Sequence, residues 1–300
     1  MEDQLKKISE DAWLTQVQDY VPSAWIGHAP FLKFLIRELK PEVFVELGTH
    51  NGFSYFVACQ TVKELGLSTK TYAVDHWLGD PHAGDFDDSV YKSVVEINRQ
   101  YESFSTLLKM SFSEARSEIK DGSVNLLHID GFHTYEAVKE DFETWLPKVN
   151  QSGVIILHDI HVRHADFGVY KYWAQVKQNY QTIEFVGSYG LGVVFLGEVN
   201  SSALSNLRDY ANSGQLAQVQ GVFGGLSDAT LQHYRVIEKS KLEEKMNLLT
   251  HEITRDDAEI SRLNHEVAQL NIEMSTLLNS KSWKITIPLR KLARFIQRKP

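Results

Sequence analysis

The sequence predicts an α/β domain followed by a long coiled-coil helix. Between residues 43 and 199, short apolar runs alternate with helical patterns, which is typical of βαβ units and a mostly parallel sheet. Several of these runs are almost continuously apolar, so we expect helices to cover both faces of the sheet. Between Leu242 and Leu277 a heptad repeat of apolar residues replaces this pattern.

Seven segments are the expected strands of the sheet, and the last two are close enough in sequence to form a hairpin. They are Val43–Leu47, Thr71–Val74, Ser105–Lys109, Val124–Ile129, Val154–Leu157, Thr182–Val186 and Gly192–Leu196. Helices are expected before them, in residues 1–40. Residues 200–230 are rich in Ser, Asn, Gly and Gln, and we expect a connecting segment there with weak helical content.

Composition excludes several classes of protein. The single cysteine, Cys59, allows no intrachain disulfide and fits a reducing cytoplasm. No apolar run is long enough to span a bilayer, and we expect no signal peptide. The net charge is −8 although residues 281–300 carry seven basic side chains and no acidic one. The acidic remainder is a poor match for nucleic acid, which requires clustered Lys and Arg.

Two spaced motifs indicate a nucleoside cofactor. The first contains Glu46, Gly48 and Gly52, then a helix starting near Ser54, and it joins a strand to that helix. The glycines permit a sharp turn close to a ligand, and the helix N-terminus suits a carboxylate such as that of a methionine moiety. The second is Asp75 at the end of the next strand, where a carboxylate accepts hydrogen bonds from ribose hydroxyls. This spacing favours S-adenosylmethionine over a dinucleotide. A tight turn without a ligand is the alternative.

Polar residues follow two further strands. Asp130 ends one strand, and His133 comes three residues later, where it could take a proton from a substrate hydroxyl. His158 and Asp159 end the next strand, and with Asp130 they could hold a divalent cation such as Mg²⁺. The alternatives are helix capping or a polar loop for His133, and capping and packing for Asp159 and His158.

The loop after Asp75 contains Asp80 and His82, which could form part of the acceptor pocket or a plain surface loop. The cofactor-binding residues that we expect are therefore Glu46, Gly48, Thr49, Gly52, Ser54, Asp75 and Asp130, and the expected catalytic residues are His133 and Asp130.

Four segments, 45–54, 75–84, 130–136 and 153–159, together resemble class I S-adenosylmethionine-dependent methyltransferases. They are similar to the small-molecule group related to macrocin O-methyltransferase, which is associated with bacterial surface-polysaccharide biosynthesis. The resemblance implies a Rossmann-like sheet whose final strand inserts antiparallel, with the cofactor held by Glu46, Gly48, Gly52 and Asp75. It also places the chemistry near Asp130, His133 and Asp159.

The expected organisation has five parts: N-terminal helices 1–40, an S-adenosylmethionine-binding domain 41–199, a connecting segment 200–230, a coiled coil 231–280 and a basic amphipathic tail 281–300. In the coiled coil, one core position holds Met246, Ile253, Ile260, Val267 and Met274, and the other is leucine except at Asp256. Such residues favour a parallel two-stranded coiled coil, which could join two copies of the chain or a different partner. The alternative is an amphipathic helix folded back on its own domain.

The tail resembles short tails found on bacterial glycan-assembly enzymes. Its apolar and basic residues suit an anionic membrane surface, and a terminus that binds nothing is the alternative. We therefore expect a cytoplasmic O-methyltransferase, peripheral to the inner face of the plasma membrane, that methylates a sugar hydroxyl of a bacterial glycan or a lipid-linked precursor. The other hypothesis is a weakly active or inactive methyltransferase-fold scaffold that recruits glycan-assembly partners at the membrane.

Overall fold

The computed structural model describes residues 1–80, 84–85, 88–164 and 166–296 of the chain. Of Asp80, Gly84, Asp85 and residues 294–296, only the backbone is described. The chain divides into two compact units, Met1–Arg235 and Val236–Pro300. The first unit contains the sheet with the helices around it, and in the second the described residues, up to 296, contain helices and no strand.

The first unit is built on a seven-stranded sheet with the order β5-β2-β1-β6-β7-β9-β8. All neighbouring strands pair in parallel except β9, which is antiparallel to both β7 and β8. This is the Rossmann-like class I methyltransferase order that the sequence predicts. The strands, including a separate two-residue pair, are β1 Val43–Leu47, β2 Lys70–Asp75, β3 Gly79–Asp80, β4 Gly84–Asp85, β5 Ser105–Lys109, β6 Val124–Ile129, β7 Val149–His158, β8 Gln181–Phe185 and β9 Leu191–Phe195.

Helices of this unit precede the sheet, connect its strands and follow its last strand. Several begin at side chains that accept a backbone N–H, for example Thr134 before α6 and Ser201 before α8. The helices are α1 Glu2–Ser9, α2 Ala29–Leu39, α3 Phe53–Glu64, α4 Asp88–Asn98, α5 Phe112–Ala115, α6 Tyr135–Trp145, α7 Val169–Asn179, α8 Ser202–Tyr210 and the first part of α9 Leu216–Asn279. Short 3-10 turns occupy Ala12–Thr15, Ile26–His28, Arg99–Tyr101 and Leu146–Lys148.

Strand β7 begins five residues earlier than the apolar pattern predicts. Its pairing with β6 shifts register between Val124 and Leu126, and the polar stretch from Asn150 to Ser152 lies at this irregularity. Polar, partly exposed residues carry no strand pattern, so the sequence predicts only the buried half from Val154 onward.

The prediction of a weakly helical connecting segment at residues 200–230 was wrong. Helix α8, a π-helical turn at Ala211–Gln215 and the start of α9 occupy most of it. Apolar residues at helical spacing are buried there, so tertiary packing outweighs the poor helix propensity of the surrounding Ser, Asn and Gly. The buried residues are Leu204, Leu207, Val219, Phe223 and Leu226.

The hydrophobic core lies between the sheet and its covering helices. Leu127 and Ile155 in the central strands pack with Trp145 and Phe142 of α6 and with Trp173 of α7. This packing fixes the ends of β1, β2, β6 and β7 relative to one another. Because these strands are parallel, their carboxyl ends share one edge of the sheet, where ligands bind in open α/β folds.

The second unit contains the remainder of α9, then α10 Lys281–Ile285 and α11 Ile287–Ile296. The apolar heptad residues of α9 between Leu242 and Leu277 are all exposed, with Ile253 61% and Leu270 56% exposed. In the described part of the chain, no helix is both long enough and apolar enough to span a membrane.

Candidate active site

A cavity of about 430 Å³ opens at the carboxyl edge of the sheet. Its walls come from the ends of β1, β2, β6 and β7 and from the N-terminal segment around Trp25. Most of the site residues expected from the sequence line it together: Gly48, Thr49, Gly52, Ser54, Asp75, Asp130, His133, His158 and Asp159. Two expected acceptor residues are not placed, because His82 lies outside the described residues and only the backbone of Asp80 is described.

Both glycines of the first motif line the cavity and have positive φ, as a sharp turn requires. Gly48 has φ +87°, and a Cβ there would lie 2.0 Å from the carbonyl oxygen of Asp130. Gly52 has φ +86°, and its Cβ would lie 2.5 Å from the ring of Phe56. Protein atoms therefore leave no space for a side chain at either position. Gly48 allows the β1–α3 loop to pack against the end of β6.

Helix α3 begins at Phe53, directly after this loop, and Gly52, Phe53 and Ser54 all line the cavity. No side chain caps this helix at Gly52. Its first backbone amides and the positive end of its dipole therefore lie at the cavity, as an anionic group requires. This geometry fits the carboxylate of a methionine moiety.

Asp75 holds two loops together at the floor of the cavity. Its Oδ2 accepts hydrogen bonds from the backbone amides of Thr49 and His50, both at 2.9 Å, and its Oδ1 accepts one from Trp77 at 2.7 Å. The indole of Trp77 also donates to the carbonyl of His50 at 2.9 Å. A carboxylate accepts about four hydrogen bonds, so roughly one site remains for a ribose hydroxyl.

One buried polar atom in the cavity wall has no protein partner among the described residues. The hydroxyl oxygen of Thr49 is buried without a hydrogen bond, whereas buried polar groups are nearly always satisfied. With the α3 amides and Asp75, this hydroxyl gives the wall donors and acceptors suited to a nucleoside with an amino-acid tail. The residues present fit S-adenosylmethionine.

Glu46 lies beneath the cavity and not in its wall. It is fully buried, and burial raises the pKa of its carboxyl. Its Oε2 lies 2.8 Å from Nδ1 of His128, and the indole of Trp25 donates to Nε2 of the same ring at 3.1 Å. Because an indole N–H only donates, the His128 proton that faces Glu46 is on Nδ1. Through His128, Glu46 thus connects the cavity floor to Trp25 of the N-terminal segment.

Four polar side chains form one cluster on the side of the cavity at β6 and β7. His133 Nε2 lies 2.9 Å from Asp159 Oδ2 and 3.7 Å from Asp130 Oδ1. His158 Nδ1 lies 3.2 Å from Asp130 Oδ1 and 3.4 Å from Asp159 Oδ1. The ring of His133 also stacks on Phe167, with centroids 4.8 Å apart. Two imidazoles therefore alternate with two carboxylates.

The carboxylates make both histidines of this cluster stronger bases than usual. Burial alone would lower the pKa of His133, but its hydrogen bonds to Asp130 and Asp159 outweigh burial and raise the pKa to about 9. The pKa of His158 rises to about 10, because the charge of Asp130 likewise outweighs burial. Both pKa values favour the imidazolium form at neutral pH, and the pKa of Asp159 is lowered by hydrogen bonds from both histidines despite burial.

His158 has an acceptor at each ring nitrogen. Its Nε2 lies 3.0 Å from the carbonyl oxygen of Ser188, opposite the contact with Asp130. An imidazole that donates to acceptors on both sides carries both protons, which agrees with its raised pKa. The same carbonyl accepts a hydrogen bond from His28 Nε2 at 3.1 Å, and burial lowers the pKa of His28 to about 3.

A metal site is geometrically available in part of this cluster. Single donor atoms of Asp130, His133 and Asp159 all lie within 4.8 Å of one another, and oxygen and imidazole donors are common ligands of divalent cations. This set differs from the expected one, because His133 takes the place of His158. The nitrogens of His158 are used by Asp130 and Ser188.

Other residues that the motifs do not indicate reach the cavity from elsewhere in the chain. Pro22, Ser23, Ala24 and Trp25 form part of its wall, and Phe112 and Phe132 contribute aromatic rings. Phe132 lies within the recognised Asp130–His133 motif, and this position is the signal that the sequence offers for it. Nothing local in the sequence around Trp25 indicates its contact with His128, 103 residues away.

Comparison with known proteins places this cavity in a described type of domain. A family model described as a methyltransferase domain matches residues 45–160, which extend from the middle of β1 to just beyond β7. The matched segment contains the glycine motif, Asp75 and the whole Asp130–Asp159 cluster. Residues 45–160 are thus similar to a methyltransferase domain.

Two curated proteins are similar to this chain. A Sinorhizobium fredii protein, y4gI, is 45% identical over 185 residues, which cover 62% of this chain and 20% of that protein. Protein R132 of Acanthamoeba polyphaga mimivirus is 27% identical over 157 residues, covering 48% of this chain and 66% of that protein. The chain therefore spans only a fifth of the length of the first relative.

Solved structures of methyltransferases are also similar. The SAH-bound methyltransferase PaMTH1 of Podospora anserina matches with a TM-score of 0.44 and 14% identity, covering 65% of this chain and 88% of that one. The O-methyltransferase TomG of Streptomyces achromogenes, in complex with SAM, matches with a TM-score of 0.43 and 14% identity, covering 66% and 91%.

Proposed function

We propose that the chain is an S-adenosylmethionine-dependent O-methyltransferase. The observation that carries this proposal is the arrangement of one cavity within the methyltransferase domain. Asp75, Thr49 and the start of α3 provide groups for the cofactor, and the Asp130–His133–Asp159 cluster lies in the same cavity. A cofactor-sized space beside a proton acceptor is what methyl transfer to a hydroxyl requires.

In the proposed reaction, an acceptor hydroxyl attacks the sulfonium methyl group. A C–O bond forms as the C–S bond breaks, S-adenosylhomocysteine leaves, and the hydroxyl proton passes to His133. Asp159, 2.9 Å from the ring, orients His133 and stabilises the imidazolium that results. Because the pKa of His133 is about 9, the ring must first lose its own proton, a step that the positive sulfonium nearby favours.

A divalent cation is the alternative to general-base catalysis by His133. Asp130 and Asp159 would hold it together with His133, and such an ion acidifies a bound hydroxyl. In that case His133 would be a ligand and not the base, so the two roles exclude each other. Turnover that survives exhaustive chelation supports the base, whereas loss of turnover that added Mg²⁺ restores supports the metal.

For the acceptor, we propose a sugar hydroxyl of a bacterial glycan or of its lipid-linked precursor. The family resemblance of the four motifs supports this class. The cavity also offers Phe132, whose exposed ring lies 6.5 Å from that of His76 between their centroids, as an apolar face for a sugar ring. The exposed apolar and basic residues of the tail agree with an acceptor held at a membrane.

The test is methyl transfer from labelled S-adenosylmethionine to glycan precursors of a bacterial host. We expect label in a saccharide or saccharide-lipid fraction, in a linkage that resists mild alkali as an ether does and an ester does not. Label only in alkali-labile esters, or in protein, would contradict O-methylation of a sugar.

The competing proposal is a weakly active or inactive scaffold. The exposed heptad face of α9 favours it, since this feature has no role in methyl transfer. Cofactor binding without transfer to any glycan fraction would support this second function.

A further inference from the structure

The second unit presents an apolar stripe whose flanks are unequally charged. In heptad notation, Ile253, Ile260 and Val267 occupy core position a, and Leu249 and Leu263 occupy core position d, all of them exposed. An apolar stripe of five heptads on one helix face pairs with another helix. The charges beside the stripe determine which helix fits, because positions e and g flank the core of a coiled coil.

The g flank begins with one lysine and continues as a row of four glutamates. It reads Lys245, Glu252, Glu259, Glu266 and Glu273, and the e flank over the same length is neutral or acidic: Glu243, Thr250, Asp257, Asn264 and Asn271. All of these side chains are exposed. Glu259 pairs at 2.7 Å with Arg262 of its own helix. The flanks therefore contain acidic side chains but few bases to match them.

A second copy of the chain does not complement this row. In a parallel pair, each g residue faces the e residue five positions later in the partner, so Glu252 would face Asp257, and Glu266 would face Asn271. In an antiparallel pair, g faces g, and most of the glutamates would face glutamates. Neither arrangement of two identical helices gives the row opposite charges along its length.

The core layer at Asp256 also disfavours pairing with a second copy of the chain. Asp256 is the one d position of the repeat that is not leucine, and in a parallel homodimer two of these carboxylates would face each other. Arg255 lies 3.6 Å from Asp256, but both side chains are mostly exposed in the single chain, so this pair is weak. A lysine or arginine from a different helix would neutralise the layer.

We propose that residues 242–277 pair with a different helical chain, which carries Lys or Arg opposite the glutamate row and opposite Asp256. This proposal does not depend on methyl transfer, since it rests only on residues of the second unit. The partner is thus recognised by a basic heptad flank, and self-association of this stripe is disfavoured.

The direct test uses the full-length chain and two synthetic helices of five heptads with identical apolar cores. One carries Lys and the other Glu at the e positions and at the layer opposite Asp256. By fluorescence anisotropy we expect the basic probe to bind about tenfold more tightly or better, with the preference shrinking at high salt. Equal affinity for both probes, or tighter binding of the acidic one, would overturn the proposal.

Two matched single variants locate the effect. Glu266→Lys on the g flank should weaken binding of the basic probe about threefold, whereas Glu244→Lys at outer position f changes the net charge equally and should leave it unchanged. An identical loss for both variants would mean that only net charge matters, and the proposed flank recognition would be wrong.

Variants of the full-length chain test whether Asp256 opposes pairing between two copies. By light scattering, Asp256→Leu should increase self-association of the full-length protein, and Thr254→Leu at outer position b should not. If the unmodified chain already self-associates as tightly as the Asp256→Leu variant, the core aspartate does not oppose a homodimer, and the proposal fails.

Discussion

At the scale of single residues, the site depends on how two carboxylates share two imidazoles. His158 is held between Asp130 and the Ser188 carbonyl, so it serves as a fixed positive charge. His133 is oriented by Asp159 and lines the cavity. The proposed chemistry therefore assigns the proton transfer to His133 and the charge balance to His158.

Replacement of His133 by Gln should reduce turnover by about 100-fold or more, because general-base assistance contributes about that much. The affinity for S-adenosylmethionine should change by less than about threefold, since the ring is not among the groups assigned to the cofactor. Steady-state kinetics and calorimetry measure the two quantities. His265→Gln on the second unit is the matched control, and turnover equal to that control would remove His133 from the mechanism.

Asp141 on α6 makes the stability of the folded protein depend on pH. Burial, with a contribution from Glu140, raises the pKa of this carboxyl to about 7. A raised pKa means that the folded protein binds the proton more tightly than the unfolded chain does. The stabilisation that this proton gives the folded state is therefore complete below about pH 4 and is lost as the pH rises through 7. The Asp141→Asn variant should therefore gain stability relative to the unmodified protein between pH 5 and 8.

Thermal melts at several pH values measure this gain, which we expect to be about 2–4 °C. Asp257→Asn, at an exposed position of the second unit, should show no such trend. A melting-temperature difference that stays constant from pH 5 to pH 8 would contradict the assignment to Asp141.

At the scale of elements, the β1–α3 loop is positioned by contact with the end of β6. Gly48 lies against the backbone of Asp130, and the amides of Thr49 and His50 bind Asp75. A single loop thus connects the cofactor end of the cavity to the catalytic end. Its geometry matters for stability and for binding at the same time.

Gly48→Ala should lower the free energy of unfolding by about 2 kcal/mol, because φ is +87° and the new Cβ has no space. It should also weaken cofactor binding. Gly221→Ala on α9 is the matched control: nothing lies within 4 Å of its Cβ, and the change should raise stability by up to about 1 kcal/mol. Denaturant titrations compare the two, and equal effects would show that the loop is not tightly packed.

The sequence predicts elements well where local patterns carry the information. Apolar runs identify all seven strands of the sheet, and those of the central strands are almost continuous because both of their faces are buried. The polar start of β7 and the helices within 200–230 lack such patterns, since distant packing rather than local propensity forms them. For the same reason, the sequence places Asp75 and Asp130 in one cavity but cannot reveal Trp25 on His128 or Ser188 beside His158.

At the scale of the whole molecule, the chain has a first unit that contains a segment similar to a methyltransferase domain and a helical second unit with exposed apolar residues. The second unit ends in α10 and α11, where Arg290 stacks 3.6 Å from the ring centroid of Trp283. Trp283, Ile287, Leu289 and Leu292 are exposed beside Lys281, Lys284 and Lys291. We propose that this tail binds an anionic membrane surface.

Deletion of residues 281–300 should abolish cosedimentation with vesicles that contain anionic lipid, because each basic residue near such a surface contributes about 1 kcal/mol. Binding of the unmodified chain should fall at high salt and be weak on neutral vesicles. Trp283→Ser should weaken binding while leaving the charge unchanged. Equal binding before and after the deletion would refute the proposal.

The central claim is that the cavity binds S-adenosylmethionine. Isothermal titration of the full-length protein tests it most directly, with Asp75→Asn as a variant that weakens the ribose contact and the loop. We expect saturable binding to one site per chain, weakened at least tenfold in the variant. No saturable heat with millimolar S-adenosylmethionine, together with an unchanged melting temperature, would contradict it.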